Sequence, residues 1–228
     1  MGRRPTAREE AQPGATRGSR VRHHPLDRRR DPPRPVRCAA AGPLSAPTLS
    51  VPGATMTGMT DEPETSSMVS DGSATTPWAD AVAALAAADT YWLSTVRPDG
   101  RPHVVPILGV VVDGVFHFAA WPGSVAGHNL ATDPRCVVAV NAGGIDLAVE
   151  GRAVPVRAEP VLQAAAARYL EQYDWPVEIR DGAYHAEGAP TAGPGPYNLY
   201  AVTPSTAFGY GSGSGEDYNP TRWRFGRR

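Results

Sequence analysis

The chain has no lysine. All 22 of its basic residues other than histidine are arginine, so a bound anion must be met by guanidinium, imidazole or main-chain groups. Cysteine is nearly absent too. Cys38 lies in a segment poor in apolar residues and Cys136 opens a strand-like run. That usage gives no disulfide framework and suits a reducing cytoplasm. No apolar run approaches the roughly 18 residues of a membrane-crossing helix. No apolar stretch of about 7–15 residues follows the N-terminal arginines, so no secretory signal is read there. No Cys/His cluster has metal-ligand spacing. Ser94 and Thr95 have no His–Asp companions to make either a nucleophile.

The charge that is present is unevenly spread. Residues 1–37 hold eleven Arg against four acidic residues, a net of +7, while residues 38–228 hold eleven Arg against nineteen, a net of −8. The first 75 residues are rich in Pro, Arg, Gly, Ser and Thr and poor in aromatic and β-branched residues. Such a composition cannot bury enough apolar surface to offset the entropy of ordering. Residues 1–75 are therefore read as a disordered tail on a domain spanning 76–228. An over-extended reading frame, with Met56, Met59 or Met68 as the true start, is the preferred account. A nucleic-acid-binding arm is the alternative, but the tail lacks interleaved aromatics.

From residue 76 onward the pattern changes. Thr76 is a candidate cap with Pro77 opening a helix, and Trp78, Val82 and Leu85 recur at helical spacing as far as Asp89. Strands are predicted over 91–97, 103–112, 115–121 and 136–141, with turns at Pro98-Asp99-Gly100 and Asp113-Gly114. Between the third and fourth, Gly123 to Leu130 reads as a short helix whose small-residue start suits a phosphate. A strand from Asp146 to Val156 is interrupted near Gly151. Val161, Leu162, Ala165, Ala166, Tyr169, Leu170 and Tyr173 form one apolar stripe on a helix from Glu159 to Tyr173. A Gly/Pro-rich loop from Asp181 to Pro196 leads into a last strand, Tyr197 to Phe208, and a terminal tail. Short strands, tight turns and peripheral helices predict a mainly β protein, an antiparallel barrel.

The order Leu93-Ser94-Thr95, Asp99-Gly100, Val105-Pro106, Ser124, Asn129-Leu130, Asp133-Pro134-Arg135 and the strand Asp146 to Gly151 carries a resemblance. It resembles the pyridoxamine 5′-phosphate oxidase-like family of flavin-binding split barrels, across most of the chain from Trp78 onward. Val202-Thr203-Pro204 and Thr221-Arg222-Trp223-Arg224-Phe225 are similar to an actinobacterial branch that uses FMN or the deazaflavin coenzyme F-420. The resemblance implies a six-stranded antiparallel split barrel and a homodimer with cofactor between subunits. It also implies hydride transfer to or from a small organic substrate, with no nucleic-acid partner.

By the same resemblance, Ser124, His128 and Asn129 would hold the cofactor phosphate. Val105, Pro106 and Ile107 would line the ring edge, Ala119, Ala120 and Trp121 would run alongside, and Trp223 would stack on or near the ring. The family pattern places a basic pair after the serine, where this chain has Val125 and Ala126. Two charge-assisted bonds of roughly 1.5–3 kcal/mol each are lost with it. Arg101, Arg135 and Arg222 are the candidates to replace that charge, Arg222 from the partner subunit. Two alternatives stand beside the oxidoreductase. One is a non-catalytic flavin- or haem-binding barrel with His103, His117 or His128 as axial ligand, and the other is a cofactor-free dimeric interaction module.

Overall fold

The computed structural model describes residues 62–70, 74–186, 195–211 and 219–226. The expected tail lies outside them as far as residue 61. Among the described residues, eleven strands and three helices follow in order. They are β1 (Glu64–Ser67), α1 (Trp78–Ala87), β2 (Tyr91–Val96), β3 (Pro102–Ile107), β4 (Gly109–Val112), β5 (Val115–Ala120), α2 (Val125–Thr132) and β6 (Arg135–Ala142). Then come β7 (Ile145–Pro155), α3 (Glu159–Tyr173), β8 (Glu178–Arg180), β9 (Ala183–His185), β10 (Asn198–Gly211) and β11 (Thr221–Arg224).

Antiparallel ladders run β3–β2–β6–β7–β10–β5–β4. The predicted strand 103–112 divides at Leu108: its first half pairs with β2 and its second with β5. That bend closes the ring, since β3 and β4 are one bent run, and the result is a six-stranded barrel. The closure is incomplete. The β4–β5 ladder stops at Gly109↔Phe118, and β3 then leaves with β2. Ala119 and Ala120 keep β10 on one side only among the described residues. This is the split.

Alternation fixes what faces inward. Along β2, Tyr91, Leu93 and Thr95 are buried while Trp92 is exposed. The inner row Trp223–Ala207–Val149–Val138–Leu93 crosses five strands in register and is buried throughout. Phe116, Phe118 and Tyr200 fill the other side, with Phe118 stacked on Tyr200 at 5.3 Å. A second core lies outside the barrel. There α3 and the β8–β9 hairpin cover β4, β5 and β10 through Val110, Leu162, Tyr169, Trp175, Tyr197 and Leu199. Tyr173 and Tyr184 donate to the carbonyls of Gly109 and Leu162, at 2.8 and 2.6 Å, and tie the layers together.

Several expectations are corrected. Order begins before residue 76, because β1 adds to the edge of β11 from Glu64↔Arg224 to Ser67↔Thr221. Edge pairing uses main-chain bonds, so the polar segment Glu-Thr-Ser-Ser needs no apolar face of its own. Thr221–Arg224, read as a tail, is a strand for the same reason. Within the Asp181–Pro196 loop, Ala183–His185 is a strand paired with β8. β7 runs through Gly151 unbroken, and the irregularity falls on its partner β10, between Pro204 and Thr206. A side chain at 151 would meet the Thr203 carbonyl at 2.3 Å, which is why a glycine sits there. Thr76 does not cap α1. Its main chain is used instead, its N–H donating to Thr221 Oγ1 and its carbonyl accepting from Trp223 Nε1. Leu170 lies outside the buried face of α3.

Candidate functional site

The split lies at the end of the barrel that α2 closes. Ser124 caps that helix: its Oγ accepts from Gly127 N–H at 3.0 Å and donates to the Trp121 carbonyl at 2.7 Å. The helix start is folded tightly on the preceding loop, since a Cβ at Gly127 would lie 2.3 Å from the Trp121 carbonyl. Ser124 N–H is taken by Trp121 and His128 N–H by Ser124. Gly127 N–H is held by the cap, so Val125 and Ala126 carry the first-turn amides left for an anion. His128 is exposed and its Nδ1–H donates to the Ser124 carbonyl at 2.9 Å.

Asn129 points the other way. It is 2% exposed, and its Nδ2 donates to Thr95 Oγ1 at 2.9 Å, pinning α2 to the inner face of β2. The resemblance made it a phosphate ligand, but in this chain its amide is spent on that pin. Directly opposite Thr95 in the β2–β3 ladder stands His103. It shares the inner face of β3 with Val105 and Ile107, all three half-buried where the barrel opens. Among the described residues its Nδ1 is buried without a hydrogen-bond partner. Burial first, and the Arg97 guanidinium second, hold this imidazole below the ordinary histidine range. Sequence reading took Thr95 as a plain strand residue and His103 as a strand histidine or an axial haem ligand, never as a neighbour of α2. The two-residue alternation that put Val105 inward was the available signal.

The remaining nominated residues divide. Val105, Ile107, Ala120 and the Trp121 carbonyl border the split, while Ala119 and the Trp121 ring pack toward the second core. Pro106 faces out on the opposite surface of β3, beside Trp92. Trp223 does not reach the split. It is fully buried in its own barrel, edge-on to Trp78 at 5.4 Å, so it is a packing residue and has no free face for a ring. His117 is also distant from the opening, on the outer side of β5 facing the second core. Its Nδ1–H donates to the Val115 carbonyl at 3.0 Å and its Nε2 is unpartnered among the described residues. Burial pulls its pKa down to about 4.

The arginines separate as clearly. Arg101 is bound to Asp99, and Arg135 is forked onto Asp133, whose carboxyl it draws down to about 2. Arg222 is half-buried on the outer sheet face, where its Nε lacks a partner among the described residues. It stands on β11, at the far side of the sheet from β3. That same outer face carries Trp92 (50% exposed), Val104 (52%) and Tyr210 (47%) over a floor of Ala139 and Ala148. Two grooves of about 400 and 330 Å³ run along it, the second between Val96, Pro102, Val137 and Glu150.

Among solved structures, a conserved hypothetical protein from Mycobacterium tuberculosis is 19% identical, with 58% of this chain and 83% of that one covered at a TM-score of 0.47. A heme-binding protein from Mycobacterium smegmatis is 15% identical, covering 60% and 54% at 0.45. PhzG from Burkholderia lata, solved with tetrahydrophenazine-1-carboxylic acid, is 17% identical, covering 60% and 75% at 0.37. No curated protein matches the chain. The family assignment rests on sequence: the pyridoxamine 5′-phosphate oxidase profile matches residues 78–208, which is more than half of the chain and spans the barrel from α1 into β10. The chain belongs to the pyridoxamine 5′-phosphate oxidase family of flavin-binding split barrels.

Proposed function

We propose that this protein is an FMN-dependent oxidoreductase that acts as a homodimer on a small organic substrate. The observation that carries the reading is the split itself, a polar opening in an otherwise apolar barrel. Near it lie the first-turn amides of α2 and, opposite Thr95 on β3, a buried nitrogen of His103 that is unpartnered among the described residues. Donors of that kind fit an anionic tail. The side chains of Val125 and Ala126 bring no cation, so the grip on that tail is weaker than the family pattern implies. A bound flavin supplies the hydride chemistry. The protein's share is to seat the tail at α2, to set Val105 and Ile107 against the ring edge, and to keep water from it. Coenzyme F-420 is the competing cofactor on the same seat.

The second copy is proposed to cover the outer face that bears Trp92, Val104 and Tyr210, since exposed apolar surface of this extent marks an interaction site. Arg222 lies on that face with no acidic partner among the described residues, so pairing two copies offers its charge to the neighbouring cleft.

The test is the visible spectrum of the purified protein before and after FMN or F-420 is added, alongside its mass by sedimentation. The reading expects a bound flavin band at roughly 450 nm on a dimer. A band at about 420 nm retained with F-420 alone would transfer the reading to the deazaflavin, and a Soret band would favour the haem-binding alternative. A colourless monomer after each addition would overturn it.

A further inference from the structure

We infer that His103 is the group that meets the negative charge of the cofactor tail, and that it makes cofactor retention depend on pH. The inference rests on the flavin reading above and concerns this chain's own substitution for the missing basic pair. Two imidazole nitrogens are buried and unpartnered among the described residues, His103 Nδ1 and His117 Nε2. His117 lies beneath the second core. His103 lies at the split, opposite Thr95, and Thr95 is the residue that Asn129 of α2 grips at 2.9 Å. Side chains directly opposite in such a ladder have Cβ atoms about 5 Å apart. His103 and Asn129 of α2 therefore flank the same residue, Thr95.

The charges nearest that residue are engaged elsewhere or oppose the ring, and Arg152 stands opposite Arg135 on the outer face of β7, beside Asp133. Just past the end of β2, the charge of Arg97 opposes protonation of His103. In the β2–β3 turn Arg101 is bound to Asp99, and at the start of β6 Arg135 is bound to Asp133. On α2, His128 uses Nδ1 on the Ser124 carbonyl, and Cys136 on β6 is a buried thiol whose pKa burial pushes up to about 12. An unpartnered buried nitrogen is costly while empty. An anion arriving at the amides of Val125 and Ala126 supplies the missing acceptor and stabilises the protonated ring. By linkage, binding then takes up a proton and tightens as pH falls.

The experiment is a titration of the full chain with FMN and with riboflavin, which lacks the phosphate, by flavin fluorescence between pH 5.5 and 8.5. The FMN phosphate has its own titration near pH 6, common to every variant, so the comparison is with His103→Gln. Wild-type protein is expected to lose about tenfold more affinity than His103→Gln across the upper two pH units, which is the loss of one charge-assisted bond. His103→Arg should bind at least as tightly with a flat profile. Riboflavin should bind weakly and without that pH dependence. Calorimetry in two buffers of different ionisation heat should detect proton uptake in wild type and less in His103→Gln. FMN binding with the same pH slope in wild type and His103→Gln, each folded by circular dichroism, overturns the role of His103 and leaves the flavin reading standing. FMN binding at no pH removes both.

Discussion

The two ends of the barrel are closed by helices, yet the closures differ in kind. At one end α1 lays Trp78, Ala81, Ala84 and Leu85 over the β6–β7 turn, and Trp78 meets Trp223 and Phe225 edge-on at 5.4 and 5.0 Å. The packing there is apolar apart from Thr76 and Thr221: the Thr76 carbonyl satisfies Trp223 Nε1 and its N–H donates to Thr221, while Thr76 Oγ1 is buried without a partner among the described residues. At the other end α2 buries Ala126 and Leu130 and adds a serine cap and one buried amide–hydroxyl bond, beside a histidine nitrogen with no partner among the described residues. The first closure is a stability element, since well-packed aromatic rings give the most burial per residue. The second differs in that its unsatisfied atom is a titratable nitrogen on a half-buried side chain beside the split, which is where ligand chemistry is found. The difference separates what holds the barrel from what the barrel holds.

That contrast is open to direct attack. Trp223→Ala, at the α1 end, should cost about 3–5 kcal/mol in denaturant unfolding. A cost no greater than that of a surface mutation would remove the contrast. Acid should act through the second core, at neither end. The His117 imidazole is held neutral in the folded state, to about pH 4, against an ordinary value near 6.5. Above pH 6.5 the folded protein has this stability in full. As pH falls from 6.5 toward 4 the unfolded chain gains a proton that the folded chain resists, and about 3 kcal/mol is lost. His117→Phe should flatten that stretch of the stability–pH curve. An unchanged curve would mean that the ring is protonated while folded.

At the α2 end the expected effects on stability are smaller and those on binding larger. Asn129→Ala breaks the bond to Thr95 and should cost about 1–3 kcal/mol, with weaker FMN binding as α2 loosens. Ser124→Ala removes a cap and should cost about 1 kcal/mol by thermal unfolding. Combined with His128→Ala, it should lower FMN affinity without unfolding the barrel. Titration curves that match wild type would show that the tail is not seated at α2.

Most of the barrel was legible because its strands alternate cleanly and its turns carry Asp-Gly. The span of α3 was read to the residue, since its apolar stripe begins and ends abruptly. What was not legible depends on partners distant in sequence. Nothing local to Leu108 says that the strand changes neighbours there, and nothing in Glu-Thr-Ser-Ser announces an edge strand that borrows its hydrogen bonds from β11. The site was half legible for the same reason. Ser124 announces itself as a cap before a small-residue helix. Asn129 looks identical whether it faces a ligand or Thr95, and only the fold decides. Trp223 was expected at the ring on the family resemblance alone, whereas the register with Ala207 places it in the core.

The most direct measurement is amide hydrogen exchange along the full chain with and without FMN. The account predicts new protection at the first turn of α2, at Val125 and Ala126, and along β3 beside His103, with the α1 end unchanged. Protection absent from α2, or appearing instead around Trp78 and Trp223, would contradict it.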